Sequence, residues 1–318
     1  MSDTPKWAWL DGEFVPWEAA KLHVRTECVM RGANVFEGVR GYWDERAAEL
    51  RVLQLDEHLE RLHRSKKVLR LQVPYSRWDF REISLELLRR NEFREDVHLR
   101  PTVYFGEGDG FGYSAETIHM GAFVTATAQR ARRNVTGIAC AVSSWQRISD
   151  RDVPPRVKAA GNYINARLAT VQARVDGYDN AILLNAEGKV TEAPAACLFL
   201  IRDGVAVTPA VTSGILDSIT RGTLLRLFRD ELHMAVEERD VDRTELYHAD
   251  EVFLCGTHTE VLPVVSVDRY PVGSGTVGGI TSALRDLFFD IVRGRVARYA
   301  AWLTPVYGRV PAAPGATC

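Results

Sequence analysis

Apolar and polar positions alternate over residues 7–15 on either side of Asp11-Gly12, which predicts two short strands joined by a turn. Strand patterning returns at 36–42 and 51–55. Leu55, Leu59, Leu62 and Leu69 then recur at helical spacing, so a helix is expected from about Asp56, with Asp56 as its N-cap. A second helix is expected over 76–91, strands over 98–105 and 119–126, and a Gly-rich connection over 106–112. Residues 129–134 (QRARRN) are polar and basic without hydrophobic period and read as an interdomain linker. Beyond them, strands are expected at 138–143, 180–184, 196–201, 205–208 and 251–255, and helices at 163–176, 218–231 and 280–293. The tail from Val310 is rich in Pro, Ala and Gly and is expected to be poorly ordered. The pattern predicts an α+β or mixed α/β class in two domains: a small N-terminal domain (1–128), the linker (129–134) and a larger C-terminal domain (135–318).

A length of 318 residues agrees with two domains. Apolar residues at 46% and charged residues at 26% are ordinary for a globular protein, and a net charge of −2 gives no basis for binding nucleic acid or an anionic membrane. No apolar run is long enough to span a bilayer, and residues 1–9 do not read as a signal peptide. The cysteines (Cys28, Cys140, Cys197, Cys255 and Cys318) are scattered and form no CxxC pair, so neither a disulfide framework nor a zinc site is expected, and a cytoplasmic location fits. His58 and His63 are five apart on a predicted helix and do not share a face well, so no metal site is expected there either.

Four segments carry candidate chemistry. Lys158 stands in PPRVKAAGNYINA, among small residues near a helix start, where burial would favour a neutral, nucleophilic amine. Glu192, in KVTEAPAACLFLI, lies between a turn and an apolar strand and could pair with a buried cationic nitrogen. GILDSITRG puts Ser218, Ile219 and Thr220 at a helix start, a place suited to an anion. Cys255-Gly256-Thr257-His258-Thr259 follows a strand and offers hydroxyls and consecutive N–H groups. Taken singly, each has a plain alternative: a solvated lysine, an exposed carboxylate, an ordinary cap, a simple turn.

Together with VFEGVRGY (35–42), DEHLERLHRSKK (56–67), HLRPTVYFGEGDGFG (98–112) and AVSSWQR (141–147), these segments resemble the fold-type IV, or class IV, pyridoxal 5'-phosphate (PLP) enzymes, most closely the branched-chain amino acid aminotransferases. The matches run in the family's order over nearly the whole chain to about residue 300. The resemblance implies a two-domain fold-type IV architecture whose larger domain binds PLP. It makes Lys158 the lysine that carries the cofactor and moves a proton. Glu192 would hold the pyridine nitrogen protonated, and Tyr163 would bond the 3'-oxygen. The phosphate would be met by Arg61, by the 218–220 helix start with Ser218, Ile219 and Thr220, and by Thr257. Phe36, Gly38, His258 and Thr259 would line the substrate side, with Arg31, Arg40, His98 and Arg100 near the pocket. A homodimer is implied, with residues around Arg31 and the loop 106–112 reaching into the neighbouring site.

Four positions depart from the branched-chain pattern. Arg31 replaces an aromatic residue, His98 a tyrosine and Cys197 an asparagine, while the linker is short and lacks aromatic residues. An arginine at 31 would add a cation suited to an acidic or polar donor, or to an (R)-amine with a carboxylate-bearing acceptor. The expected activity is transfer of an amino group from an L-branched-chain or related hydrophobic amino acid to a 2-oxo acid such as 2-oxoglutarate. An (R)-amine or specialised-metabolite aminotransferase, a D-amino-acid aminotransferase and an aminodeoxychorismate lyase-like enzyme stand as alternatives.

Overall fold

The computed structural model describes residues 4–131 and 136–308. Its chain divides into one unit made of residues 1–131 with 289–318, and a second made of 132–288.

In the first unit the expected N-terminal hairpin is β1 (Trp7–Leu10) against β2 (Glu13–Pro16). Its turn uses Gly12 at φ 108°, a conformation that favours glycine. A short helix, α1 (Glu27–Arg31), follows. The single strand expected over 36–42 is two, β3 (Asn34–Phe36) and β4 (Val39–Asp44). The break at Glu37-Gly38 has a side-chain cause. Glu37 sends its carboxylate into the interior towards Arg61. His98 closes over Gly38, so that a Cβ there would lie 2.8 Å from the imidazole Nε2.

After β5 (Glu49–Leu53) comes α2 (Leu55–Val68), and Asp56 is not its N-cap. Gln54 occupies that position in a left-handed conformation and its side chain does not cap the helix, while Asp56 sits in the first turn, where its charge complements the helix dipole. Leu55, Leu59 and Leu62 are buried as the spacing predicts. In α3 (Arg77–Asn91) the cap is reciprocal: Ser76 Oγ accepts from the Asp79 N–H at 3.2 Å, and the Asp79 carboxylate accepts from the Ser76 N–H at 2.7 Å. Ser76→Ala is expected to cost about 1 kcal/mol, read as a lower urea midpoint at unchanged slope. An unmoved midpoint would show that the cap contributes nothing.

The long hairpin β6 (Val97–Gly108) and β7 (Ile118–Ala128) runs beyond both expected strands. The sheet order is β5-β4-β6-β7-β1-β2, antiparallel throughout, with β3 also on β6.

The second unit holds β8 (Ile138–Gln146), α4 (Tyr163–Val175), β9 (Asn180–Leu184), β10 (Cys197–Arg202), β11 (Val205–Pro209) and α5 (Ile219–Asp230). β12 (Ala235–Arg239), α6 (Glu245–His248), β13 (Glu251–Gly256), β14 (Glu260–Val267), β15 (Tyr270–Pro271) and α7 (Gly279–Val292) complete it; α7 runs on across residue 288. The sheet order is β12-β11-β10-β13-β14-β8-β9, with β15 on β14; β11/β12, β14/β8 and β8/β9 are parallel. Phe199, Phe228 and Phe253 pack at its centre.

The last strand, β16 (Leu303–Pro305), pairs with β5 in the first sheet, whereas the sequence reading assigned everything to residue 318 to the C-terminal domain. The physical reason is an edge: β5 would otherwise leave a row of backbone groups unpaired. Arg293 reinforces the return with two bonds to the Asp96 carboxylate. Of the expected linker, residues 132–134 lie outside the described residues, as does Cys318.

Candidate active site

Within the second unit, the separated polar positions form one connected set. Lys158 lies ahead of α4, and Tyr163 opens that helix. This spacing lets the Lys158 amine donate to the Tyr163 hydroxyl at 3.0 Å. Glu192 is buried. Its Oε1 is 2.6 Å from Arg147 Nη2 and accepts from the Leu216 N–H at 3.3 Å. Its Oε2 meets the Cys197 thiol at 3.6 Å, a weak donor. Burial pushes the Glu192 carboxyl above its ordinary value, with Arg147, Leu216 and Lys158 pulling the other way.

The loop carrying Leu216 leads straight into α5. Ser218 is the N-cap, its Oγ accepting from the Arg221 N–H at 3.2 Å, and Ile219 and Thr220 form the first turn. Arg221 fixes this helix end from below. It is buried and donates to Thr208 Oγ1 at 3.0 Å and to the Pro209 carbonyl and Glu238 carboxylate at 2.9 and 2.8 Å. Cys197 pairs across the sheet with Cys255, two residues before Thr257, so the turn after β13 lies on the same sheet as Glu192's neighbour. Thr259 is buried and His258 is exposed.

The first unit groups most of its expected site residues on one region of its sheet. Glu37 is fully buried. It accepts from Arg61 Nε and Nη2, both at 2.7 Å, and its Oε2 lies 2.8 Å from His58 Nδ1. Burial alone would raise this carboxyl, but Arg61 and His58 hold it down at about 2. Arg100 stacks on the Phe36 ring at 3.8 Å, and buried Arg40 stands opposite His98 in register. Arg31 is apart from these. Its guanidinium pairs with buried Glu27 one turn earlier and lies over the Phe111 ring at 5.3 Å. The extra cation therefore already has a counter-charge on its own helix.

Two residues stand out that sequence reading left without a role, Glu37 and Arg147. Both lie inside matched segments, VFEGVRGY and AVSSWQR, but nothing in a strand-like sequence shows that a charged side chain turns inward.

The donor set fits PLP. A primary amine beside a phenol suits its aldehyde carbon and 3'-oxygen. A buried carboxylate with one oxygen facing a thiol suits a protonated ring nitrogen. A helix start close by suits its phosphate.

Fold and site together define a PLP-dependent transaminase. The chain belongs to the class IV aminotransferases, whose family model matches residues 34–267. It is 41% identical to a probable branched-chain-amino-acid aminotransferase of Aquifex aeolicus, over 95% of this chain and 97% of that one. It also matches the PLP form of the branched-chain amino acid aminotransferase of Thermobaculum terrenum, with a TM-score of 0.90 and 40% identity over 95% and 98% of the two chains. A third match is the branched-chain aminotransferase of the archaeon Thermoproteus uzoniensis with norvaline, with a TM-score of 0.89 and 37% identity over 96% and 100%.

Proposed function

We propose that this enzyme moves the amino group of an L-branched-chain or related hydrophobic amino acid to a 2-oxo acid such as 2-oxoglutarate. The observation that carries the donor class is Arg31. Its charge is already matched by Glu27, which removes the main sequence argument for an acidic or polar donor. The branched-chain substrates named for the related enzymes support the same reading.

Bound PLP supplies the electron sink. Lys158 would hold the cofactor, and its amine would be the group that takes up and gives back the donor's α-proton. The Tyr163 hydroxyl, 3.0 Å away, orients that amine. Glu192 keeps a proton on the ring nitrogen. Ser218, Ile219, Thr220 and Thr257 are the proposed phosphate partners, and Arg61 is the phosphate clamp that the family resemblance implies. Arg61 presents its guanidinium from a mount fixed by Glu37. Arg40 and Arg100 supply positive charge for a 2-oxo acid carboxylate, with His98 beside them, Phe36 and Gly38 line the side-chain pocket, and the His258 and Thr259 amides meet the donor's carboxylate. The enzyme works as a homodimer: Val29, Met30 and Phe111, beside Arg31, stand exposed for a second copy. Free thiols at Cys28, Cys140, Cys197 and Cys255 fit a reducing compartment such as the cytoplasm.

The test is absorbance of the PLP-loaded protein after L-leucine, L-glutamate and (R)-1-phenylethylamine are added separately. Bleaching of the lysine-bound cofactor band by both amino acids is expected. Bleaching by the amine but not by L-leucine would overturn the donor assignment.

A further inference from the structure

Arg147 directly follows β8, its own N–H donating to the Leu184 carbonyl at 2.8 Å and its Nε to the Gly214 carbonyl at 3.4 Å. The backbone is thus fixed by one bond and the guanidinium by another before the guanidinium meets Glu192 at 2.6 Å. Both partners are almost wholly buried, with side chains 8% and 6% exposed. A buried carboxylate without a cation would take up a proton rather than stay charged. The charged and titratable groups acting on Glu192 include Arg147, Lys158 and the thiols of Cys197 and Cys255, and among them Arg147 makes the closest contact.

We propose that Arg147 is a positioning residue for transamination: it keeps Glu192 charged and aims its second oxygen, so that Glu192 can hold the proton on the cofactor's ring nitrogen. This rests on the assignment of Glu192 as the ring-nitrogen partner. A neutral Glu192 would become a donor itself, and the ring nitrogen would lose the acceptor that favours its protonation. Burial pushes the Glu192 carboxyl up and Arg147 opposes it. Removing Arg147 therefore moves Glu192's ionisation to higher pH, and activity that needs the carboxylate rises only as pH rises through that new value.

The experiment compares Arg147→Met, Arg147→Lys, Glu192→Gln and the Arg147→Met/Glu192→Gln double variant. It reads the pH dependence of the bound-cofactor absorbance, PLP affinity, and kcat against KM. Arg147→Met is expected to lower kcat at pH 7 about 10- to 100-fold, the range found for partners that orient a functional ligand. The acid limb of the kcat and absorbance profiles should move at least about one pH unit upward, equivalent to a tenfold change in the ionisation constant. Arg147→Lys should restore most of both. The double variant should be no slower than Glu192→Gln alone, because one function cannot be lost twice. It also leaves no unpaired buried charge, so it folds even where Arg147→Met does not. An Arg147→Met enzyme with an unmoved limb, or a double variant slower than Glu192→Gln by the full effect of Arg147→Met, overturns the proposal. If Glu192→Gln itself keeps wild-type kcat and absorbance, the assignment of Glu192 fails instead, and the two failures are told apart.

Discussion

Lys158→Ala is expected to lower transamination by about 10⁴-fold or more, because it removes both a positioned acid–base group and the covalent anchor of the cofactor. The absorbance band of lysine-bound PLP should vanish with it. The fold should survive. The Lys158 amine is only part-buried and donates to the Tyr163 hydroxyl, which stays near solvent when the amine goes. Circular dichroism and thermal melting should therefore match the wild type while turnover of L-leucine with 2-oxoglutarate is lost. Turnover within tenfold of the wild type would remove Lys158 from the mechanism.

The largest effect on stability should come from Glu37→Ala. Glu37 is fully buried and joins Arg61 and His58 by three short contacts. Removing one member of a buried ion pair costs about 3–5 kcal/mol, since the remaining cation loses its counter-charge but stays out of water. The pH dependence gives a second handle. Burial works against the Glu37 charge, but Arg61 and His58 prevail and hold its folded-state value at about 2, below the ordinary 4.5. A carboxyl depressed in this way contributes fully above its unfolded value and loses the contribution as pH falls through the folded one. The gap in urea stability between wild type and variant should therefore be constant from pH 7 down to about 5 and shrink as pH falls from 4.5 towards 2. A gap that stays constant throughout would show that packing, and not the carboxylate charge, is what Glu37 contributes. Because Arg61 is a proposed phosphate partner, weaker PLP binding should accompany the loss of stability.

Local pattern made much of this molecule legible. Alternation around Asp11-Gly12, leucine spacing in α2 and the helical pattern over 76–91 are short-range signals, and the structure has the corresponding elements. The site was legible through ordered motifs, not through any one residue: lysine, glutamate, helix start and threonine turn each had an ordinary reading alone. Arg31 shows the opposite case. Its identity suggested a cation available to substrate, and only the helical geometry of α1 revealed Glu27 as its partner.

The amino-acid sequence by itself determined the secondary elements whose causes lie within a turn or two, the family, and the residue types required for PLP chemistry. The tertiary structure alone decided that the strand over 36–42 breaks so that Glu37 can face Arg61, that β16 returns to cover β5, and that Arg147 meets Glu192. These depend on partners 24, 250 and 45 positions away in sequence. Propensity and periodicity report what a residue does with its near neighbours. The charge state of a buried carboxylate and the cover on an open sheet edge are set by whichever distant group the fold brings within about 3 Å.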